Sequence, residues 1–138
     1  MTGALVVDAS ISGAWLLPDE ATDPYAEAAL QATTARQVWV PALWQLEVGN
    51  LLLSAHRRRR IDDAKRRELV ATAQALRLRV DRGPVAMTAL DDLAARHALS
   101  IYDATYLELA LRRKLPLATA DAELLKAMAA AGVARAEL

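Results

Sequence analysis

The sequence predicts an α/β fold in which helices cover a parallel sheet. Short apolar runs, of the length of buried strands, alternate along the chain with longer segments of helical periodicity. Strands that alternate with helices in this way usually pair in parallel. At 138 residues the chain fits one domain that is large enough to bury its own core. Only six residues are aromatic (three Trp and three Tyr), so we expect a core of Leu, Ala and Val.

The predicted elements follow from hydrophobic period and from helix-end signals. Apolar β-type runs predict strands at residues 4–7, 37–40, 78–80 and 115–118, and a final edge strand at 133–136. The 3.6-residue period predicts helices at 11–17, 24–35, 43–58, 62–77, 88–97, 100–111 and 121–132. Pro24 suits a first helical position, Asp62 and Thr88 suit N-caps, and the acidic segment 19–23 is expected to be a loop.

The net charge is zero, but the charges are unevenly distributed. Residues 1–50 carry six acids and one base, residues 57–82 carry ten bases and four acids, and residues 83–138 carry seven acids and six bases. This asymmetry is typical of a protein that holds cations in one place and a polyanion beside it. The basic stripe from Arg57 to Arg82 is equally well explained as the solvated surface of helices.

Composition also restricts the class and compartment of the protein. The absence of cysteine excludes disulfides, thiolate metal sites and cysteine nucleophiles. No apolar run approaches the roughly 20 residues that span a bilayer, and no export signal is recognisable. We therefore expect a soluble, cytoplasmic protein with no membrane partner.

Two acids lie close after the ends of predicted strands. Asp8 comes after the first strand, and Asp121 lies three residues after the fourth. In open parallel sheets, ligands bind outside the carboxyl ends of the strands, so both side chains are expected at the same edge of the sheet.

Two further acids lie on helix faces that are otherwise apolar. Asp103 has Tyr106 and Leu107 one turn further along its helix, and Glu47 has Leu43, Trp44 and Leu51 as helical neighbours. A carboxylate on a buried face needs a compensating positive side chain or a metal ion, because burying it unpaired is costly.

Each of the four acids also has a simpler explanation. Asp8 and Asp121 are suitable N-caps, Asp103 can form part of a capping box with Ser100, and Glu47 can pair with an arginine. Together these explanations weaken, because no matching set of bases occupies the core-facing positions. Oxygen ligands without His or Cys favour Mg²⁺ or Mn²⁺ over zinc.

Four short motifs, taken in order, resemble those of PIN-domain ribonucleases, in particular the VapC-type toxins of bacterial toxin–antitoxin pairs. The matching segments are Val-Val-Asp-Ala-Ser at 6–10, Pro-Ala-Leu-Trp-Gln-Leu-Glu-Val at 41–48, Ser-Ile-Tyr-Asp-Ala-Thr-Tyr at 100–106 and Leu-Ala-Thr-Ala-Asp at 117–121. The resemblance covers essentially the whole chain, as a single domain over residues 1–138. It implies a three-layer α/β/α sandwich with a central parallel sheet of four or five short strands.

The resemblance also implies a function. Asp8, Glu47, Asp103 and Asp121 match the family's acidic quartet, and Thr119, with Ser10, contributes a nearby hydroxyl. The implied activity is cleavage of RNA with Mg²⁺ or Mn²⁺, and the implied partners are a cognate antitoxin and a second copy of the chain.

The chemistry expected of this set is metal-assisted attack by water. One or two cations on Asp8 and Asp103, with Glu47 and Asp121 as direct or water-mediated ligands, would activate the water and offset phosphoryl charge. Either Glu47 or Asp121 would act as general base. Products would carry 5′-phosphate ends, and the basic stripe would hold the RNA backbone.

There are three alternative functional classes, and the sequence argues against them with different strength. A phosphoacceptor receiver domain needs an acidic pair after the first strand and a lysine after the last, but the chain has Asp8-Ala9, and Lys126 lies inside the final predicted helix. A catalytically silent PIN-type module has no need of a buried anionic cluster. A nuclease that acts on DNA is harder to exclude, because attack by water does not require the 2′-hydroxyl.

Overall fold

A computed structural model describes residues 3–18 and 23–138, so residues 19–22 of the predicted acidic loop lie outside the described residues. Four strands and seven helices alternate along the described ranges. The strands are β1 (Leu5–Val7), β2 (Val38–Pro41), β3 (Arg79–Asp81) and β4 (Leu117–Ala118). The helices are α1 (Ala9–Leu16), α2 (Pro24–Ala35), α3 (Leu43–Arg57), α4 (Asp63–Ala75), α5 (Met87–His97), α6 (Ile101–Arg113) and α7 (Ala122–Ala131).

All four strands run parallel, in the order β3-β2-β1-β4. In the pairing of β1 with β2, Leu5 lies opposite Val38, and in the pairing of β1 with β4, Val7 lies opposite Ala118. The first strand is therefore central, and its carboxyl end lies beside that of β4. The predicted fold class is confirmed.

Helices pack on both faces of this sheet. One face packs against α1 and α2 through a cluster that includes Leu5, Val7, Ile11 and Ala29. The other face contacts α6, which packs against β1, β2 and β4. The buried side chains are mainly Leu, Ala and Val, as the composition predicts.

Most helix ends lie where their sequence signals predict. Asp62 caps α4 by accepting the backbone N–H of Lys65, and Gly132 ends α7 in the left-handed conformation that glycine adopts without strain. Pro24 is the first residue of α2, as expected. The cap expected at Thr88 is wrong: α5 begins at Met87, after Ala86, and has no side-chain cap.

The predicted edge strand at 133–136 is reduced to one parallel bridge between Leu117 and Arg135. Two backbone hydrogen bonds, from Leu117 to Ala134 and from Ala136 to Leu117, hold this segment beside β4. Within the described ranges, no helix is both long and apolar enough to cross a membrane.

Candidate active site

Asp8 lies at the carboxyl end of the central strand and is almost completely buried, with 3% of its surface exposed. Its Oδ1 atom accepts the backbone N–H groups of Ser10 (2.7 Å) and Ile11 (3.3 Å) and the Ser10 hydroxyl, so it caps α1. Its Oδ2 atom accepts the hydroxyl of Thr119 at 2.5 Å. The simpler explanation of Asp8 as an N-cap is therefore correct, but it accounts for only one of the two carboxylate oxygens.

Thr119 connects the ends of the two neighbouring strands to α7. Its Oγ1 donates to Asp8 and accepts the backbone N–H of Asp121 at 3.0 Å. The Oδ2 atom of Asp121 in turn caps α7 by accepting the N–H of Leu124 at 3.0 Å. Because β1 and β4 pair directly, this chain of bonds places Asp8 and Asp121 at one edge of the sheet, as the sequence predicts.

Asp103 lies in the first turn of α6 and is half-buried. Its backbone N–H donates to the Ser100 hydroxyl at 3.0 Å, so Ser100 is the N-cap. The Ser100 side chain also hydrogen-bonds the Asp103 carboxylate. Burial and the other acids raise the pKa of that group, and they outweigh this hydrogen bond, which lowers it.

Glu47 lies on the second turn of α3, half-buried, and contacts α6. Its Oε1 atom accepts the hydroxyl of Tyr106 at 2.6 Å. Burial, and then the hydrogen bond to Glu47, raise the pKa of Tyr106, so this phenol stays protonated as a donor. The expected pairing of Glu47 with an arginine is not observed among the described contacts; its partner is a neutral hydroxyl.

The four acids act on one another electrostatically. The pKa of Asp103 is raised, first by burial and then by the negative charges of Asp121, Asp8 and Glu47. Burial also raises the pKa of Asp8, although the hydrogen bonds from Ser10 and Thr119 oppose this change. The carboxylates of four separate elements therefore lie within one electrostatic neighbourhood, here called the acidic cluster (Asp8, Glu47, Asp103 and Asp121).

The acidic cluster has no cationic side chain paired with it among the described ion pairs. Uncompensated, converging carboxylates favour either a proton or a cation. In the part of the chain that the structure describes, no three of these acids are arranged as a ready-made metal-ligand group. The donor set suits Mg²⁺ or Mn²⁺ nonetheless, because Mg²⁺ is typically held by one or two carboxylates and keeps several waters.

The basic stripe is not adjacent to this cluster along α3. Arg57 follows Glu47 by ten residues, or about 15 Å of helix. Several bases of the stripe are paired with acids on their own helix, since Arg66 and Arg67 both bond Asp63. These pairs support the alternative account of the stripe as a solvated helix surface.

Two contacts of the site were not predicted from the sequence. Tyr106 is the hydrogen-bond partner of Glu47, and Trp44 donates to the Ser12 hydroxyl at 2.8 Å and thereby joins α3 to α1. Tyr106 could have been predicted as a contact of the site, because it lies three residues after Asp103 on the same helix face and a buried tyrosine hydroxyl usually finds a partner. The Trp44–Ser12 contact joins residues far apart in sequence and had no local signal.

The sequence matches the family model described as the PIN domain over residues 5–130. The chain therefore belongs to the PIN-domain family, whose members are nucleases that generally use divalent metal ions. Comparison with curated protein sequences finds no match.

The solved structures that share this fold include two that we compare with the chain. PAE2754 from Pyrobaculum aerophilum is 24% identical, with a TM-score of 0.68 over 91% of this chain and 84% of that chain. VapC20 of Mycobacterium tuberculosis, a toxin that cleaves the sarcin-ricin loop, is 17% identical, with a TM-score of 0.61 over 97% of this chain and 99% of that chain. At these identities the likeness shows a shared fold.

Proposed function

We propose that this protein is a divalent-metal-dependent endoribonuclease that acts as the toxin of a toxin–antitoxin pair. The observation that carries the proposal is the acidic cluster, in which four elements bring Asp8, Glu47, Asp103 and Asp121 together without a described cationic partner. A buried anionic group of this kind weakens a fold unless it binds something. Family membership and the shared fold with VapC20 support the choice of a nuclease toxin.

The metal would be held by Asp8 and Asp103, with Asp121 and Glu47 as direct or water-mediated ligands. When bound, the cation polarises phosphoryl oxygens and lowers the pKa of a water molecule. Asp8 is the most rigidly placed of the four, because both of its oxygens accept hydrogen bonds. Thr119 and Ser10 act as positioning residues, since their hydroxyls fix the direction of the Asp8 carboxylate.

Glu47 and Asp121 remain the two candidates for the general base. Each uses one oxygen in a described hydrogen bond, Glu47 with Tyr106 and Asp121 with the N–H of Leu124. Each therefore has a second oxygen available to orient water or to accept its proton.

The proposed partner is a cognate antitoxin whose basic side chain reaches the acidic cluster. Apolar side chains beside the acids support this proposal: Leu46, next to Glu47, is 67% exposed, and Tyr102, next to Asp103, is 60% exposed. Large exposed apolar groups are typical of a protein-binding surface. Co-purification with the product of a neighbouring small gene, weakened by Glu47→Gln, tests the charge contact. A homodimer is part of the same proposal and is tested by light scattering.

The activity is tested by cleavage of a structured-RNA pool that includes a sarcin-ricin-loop hairpin. The assay compares Mg²⁺, Mn²⁺ and EDTA, and it compares wild type with Asp8→Asn and Asp103→Asn. We expect cleavage that leaves 5′-phosphate ends, requires the metal and falls at least about 100-fold in both variants, as for loss of a group that acts in the transition state. Asp91→Asn, on the exposed surface of α5, is the matched control and should cleave like wild type.

Equal cleavage by wild type and both cluster variants, with or without EDTA, would contradict the nuclease proposal. Single-stranded DNA in a parallel assay tests the DNA-directed alternative. Metal binding without cleavage of either polymer would favour a catalytically silent module.

A further inference from the structure

Arg135, on the segment that follows α7, is linked to the acidic cluster through Thr119. Its backbone forms the bridge to Leu117, which places it next to β4, and its side chain is exposed. The Nη2 atom of Arg135 donates to the carbonyl oxygen of Thr119 at 3.0 Å. The hydroxyl of the same Thr119 donates to Asp8, so a single residue separates the guanidinium from the buried carboxylate.

A tyrosine holds the guanidinium in a defined plane. The Cζ atom of Arg135 lies 3.8 Å from the centroid of the Tyr25 ring, which is stacking distance. The Tyr25 hydroxyl donates to the carbonyl of Ala136 at 2.7 Å and so fixes the ring to the same segment. The side chain is thus oriented on two sides, by a ring and by a carbonyl.

This arrangement leaves most of the Arg135 donors available. A guanidinium has five N–H groups. One donates to the Thr119 carbonyl and another to the Tyr25 hydroxyl, and stacking on the ring uses the face and leaves the rest of the edge. No carboxylate pairs with Arg135 among the described contacts. In contrast, Arg112 and Arg113 are bound to Asp81.

We propose that Arg135 binds a backbone phosphate of the nucleic acid whose scissile bond lies at the acidic cluster. This inference rests on the proposed function and deepens it by assigning a phosphate contact to the cluster's edge. Planar, pre-oriented guanidinium groups match phosphate geometry through paired N–H donors. A fixed positive charge that is one residue away from Asp8 also helps a polyanion to approach an otherwise repulsive surface. The contact is a positioning one and reads no base.

The experiment measures how binding of a fluorescent 20-nucleotide single-stranded RNA depends on salt. Wild type, Arg135→Gln and Arg135→Lys are titrated in EDTA at several KCl concentrations, with a DNA strand of the same sequence in a parallel arm. Each neutralised phosphate of a single strand contributes about 0.7 to the slope of log K against log salt. We expect Arg135→Gln to reduce the slope by about that amount and to bind about fivefold more weakly at low salt, as for an exposed charge pair. Arg135→Lys should keep the slope, because it keeps the charge.

Arg36→Gln is the matched control. Arg36 also bonds backbone carbonyls near the chain ends, those of Gly3 and Glu137, and it lines the same cavity as Arg135, but it has no described contact with Thr119. It therefore serves as a neighbouring positive charge that lacks the link to Asp8. Its removal should leave the slope unchanged. In Mn²⁺, cleavage of the same RNA should show a raised KM for Arg135→Gln with a nearly unchanged kcat.

Each outcome decides the proposal. An unchanged slope for Arg135→Gln, with only a lower melting temperature, would overturn it and leave Arg135 as a structural clamp. An equal loss of slope in Arg36→Gln would also overturn it, because the effect would then be one of net charge. If wild type cleaves RNA and Arg135→Gln keeps its slope, this inference fails and the nuclease proposal stands; if wild type neither binds nor cleaves RNA or DNA, both fail.

Discussion

Asp8 and Asp81 are both buried carboxylates at the carboxyl end of a strand. The charged side chains near Asp8 are negative, whereas those that contact Asp81 are positive. Asp8 is 3% exposed, accepts hydroxyl and backbone donors, and shares its neighbourhood with three other acids. Asp81 is 7% exposed and accepts both terminal nitrogens of Arg112, the Nε of Arg113 and the N–H of Gly83. The pKa of Asp8 is raised by burial, whereas the hydrogen bonds from Arg112 and then Arg113 lower that of Asp81 to about 2.

The comparison shows that burial alone does not identify a functional acid. At Asp81 the charges are compensated within the chain, and Arg113 in addition stacks 3.5 Å from the centroid of Trp39, so this group anchors α6 to the edge strand β3. The acidic cluster leaves its charge uncompensated by described side chains, and its carboxylates suit a cation from solution. One region stabilises the fold, and the other is the binding site that we propose.

The largest effect on stability is expected from Asp81→Asn. The substitution removes the charge that Arg112 and Arg113 share, and it should lower the free energy of unfolding by about 2 to 3 kcal/mol. Urea denaturation measures this change. Asp63→Asn is the matched control: Asp63 also bonds two arginines, but on an exposed surface, so its substitution should have a much smaller effect. Equal losses in the two variants would mean that burial does not strengthen the Asp81 contacts.

Acid should remove the same contribution in wild type. Because the pKa of Asp81 is lowered to about 2 in the folded protein, its charge stabilises the fold above the unfolded value near 4, and this contribution is lost as the pH falls through 2. The stability difference between wild type and Asp81→Asn should therefore shrink by about 2 kcal/mol between pH 4 and pH 2. A difference that is constant over this range would contradict the assigned charge state.

Metal should stabilise the acidic cluster and leave the Asp81 group unaffected. Mn²⁺ at ten times its dissociation constant should raise the free energy of unfolding by about 1.4 kcal/mol, and EDTA should reverse the change. Calorimetry of wild type, Asp8→Asn and Asp81→Asn tests this. The gain should be lost in Asp8→Asn and kept in Asp81→Asn; an equal gain in all three would indicate that the metal binds elsewhere.

The smallest effect is expected from Asp103→Asn without metal. The raised pKa of Asp103 means that the folded state disfavours its charge, so neutralising it should stabilise the metal-free protein. The α6 helix dipole opposes this gain, which should therefore stay below about 1 kcal/mol. Asp91→Asn, on the exposed face of α5, should show no such gain. A clear loss of stability in Asp103→Asn would show that the cluster is not repulsive when metal is absent.

The sequence by itself determined the order of elements, most helix ends and four acids that stand apart. These features depend on local rules: apolar period, capping by Asp62 and Asp121, and Gly132 at a left-handed end. The position of Asp8 directly after a strand also predicted at which edge of the sheet it lies, because the carboxyl ends of all strands in a parallel sheet lie together. The cap at Thr88 was mispredicted because a capping residue type also occurs inside helices, and α5 begins without a side-chain cap.

Only the tertiary structure decided which charges are compensated. The bond between Thr119 and Asp8 spans 111 residues, that between Tyr106 and Glu47 spans 59, and that between Arg112 and Asp81 spans 31. No local pattern separates Asp81, which is paired, from Asp8, which is not, since both are acids at strand ends. Pairing depends on which helix crosses which strand end, and α6 brings Asp103 to one and two arginines to the other. The contact of Arg135 with Thr119 could not be predicted from the sequence for the same reason. It follows from the pairing of the last segment with β4.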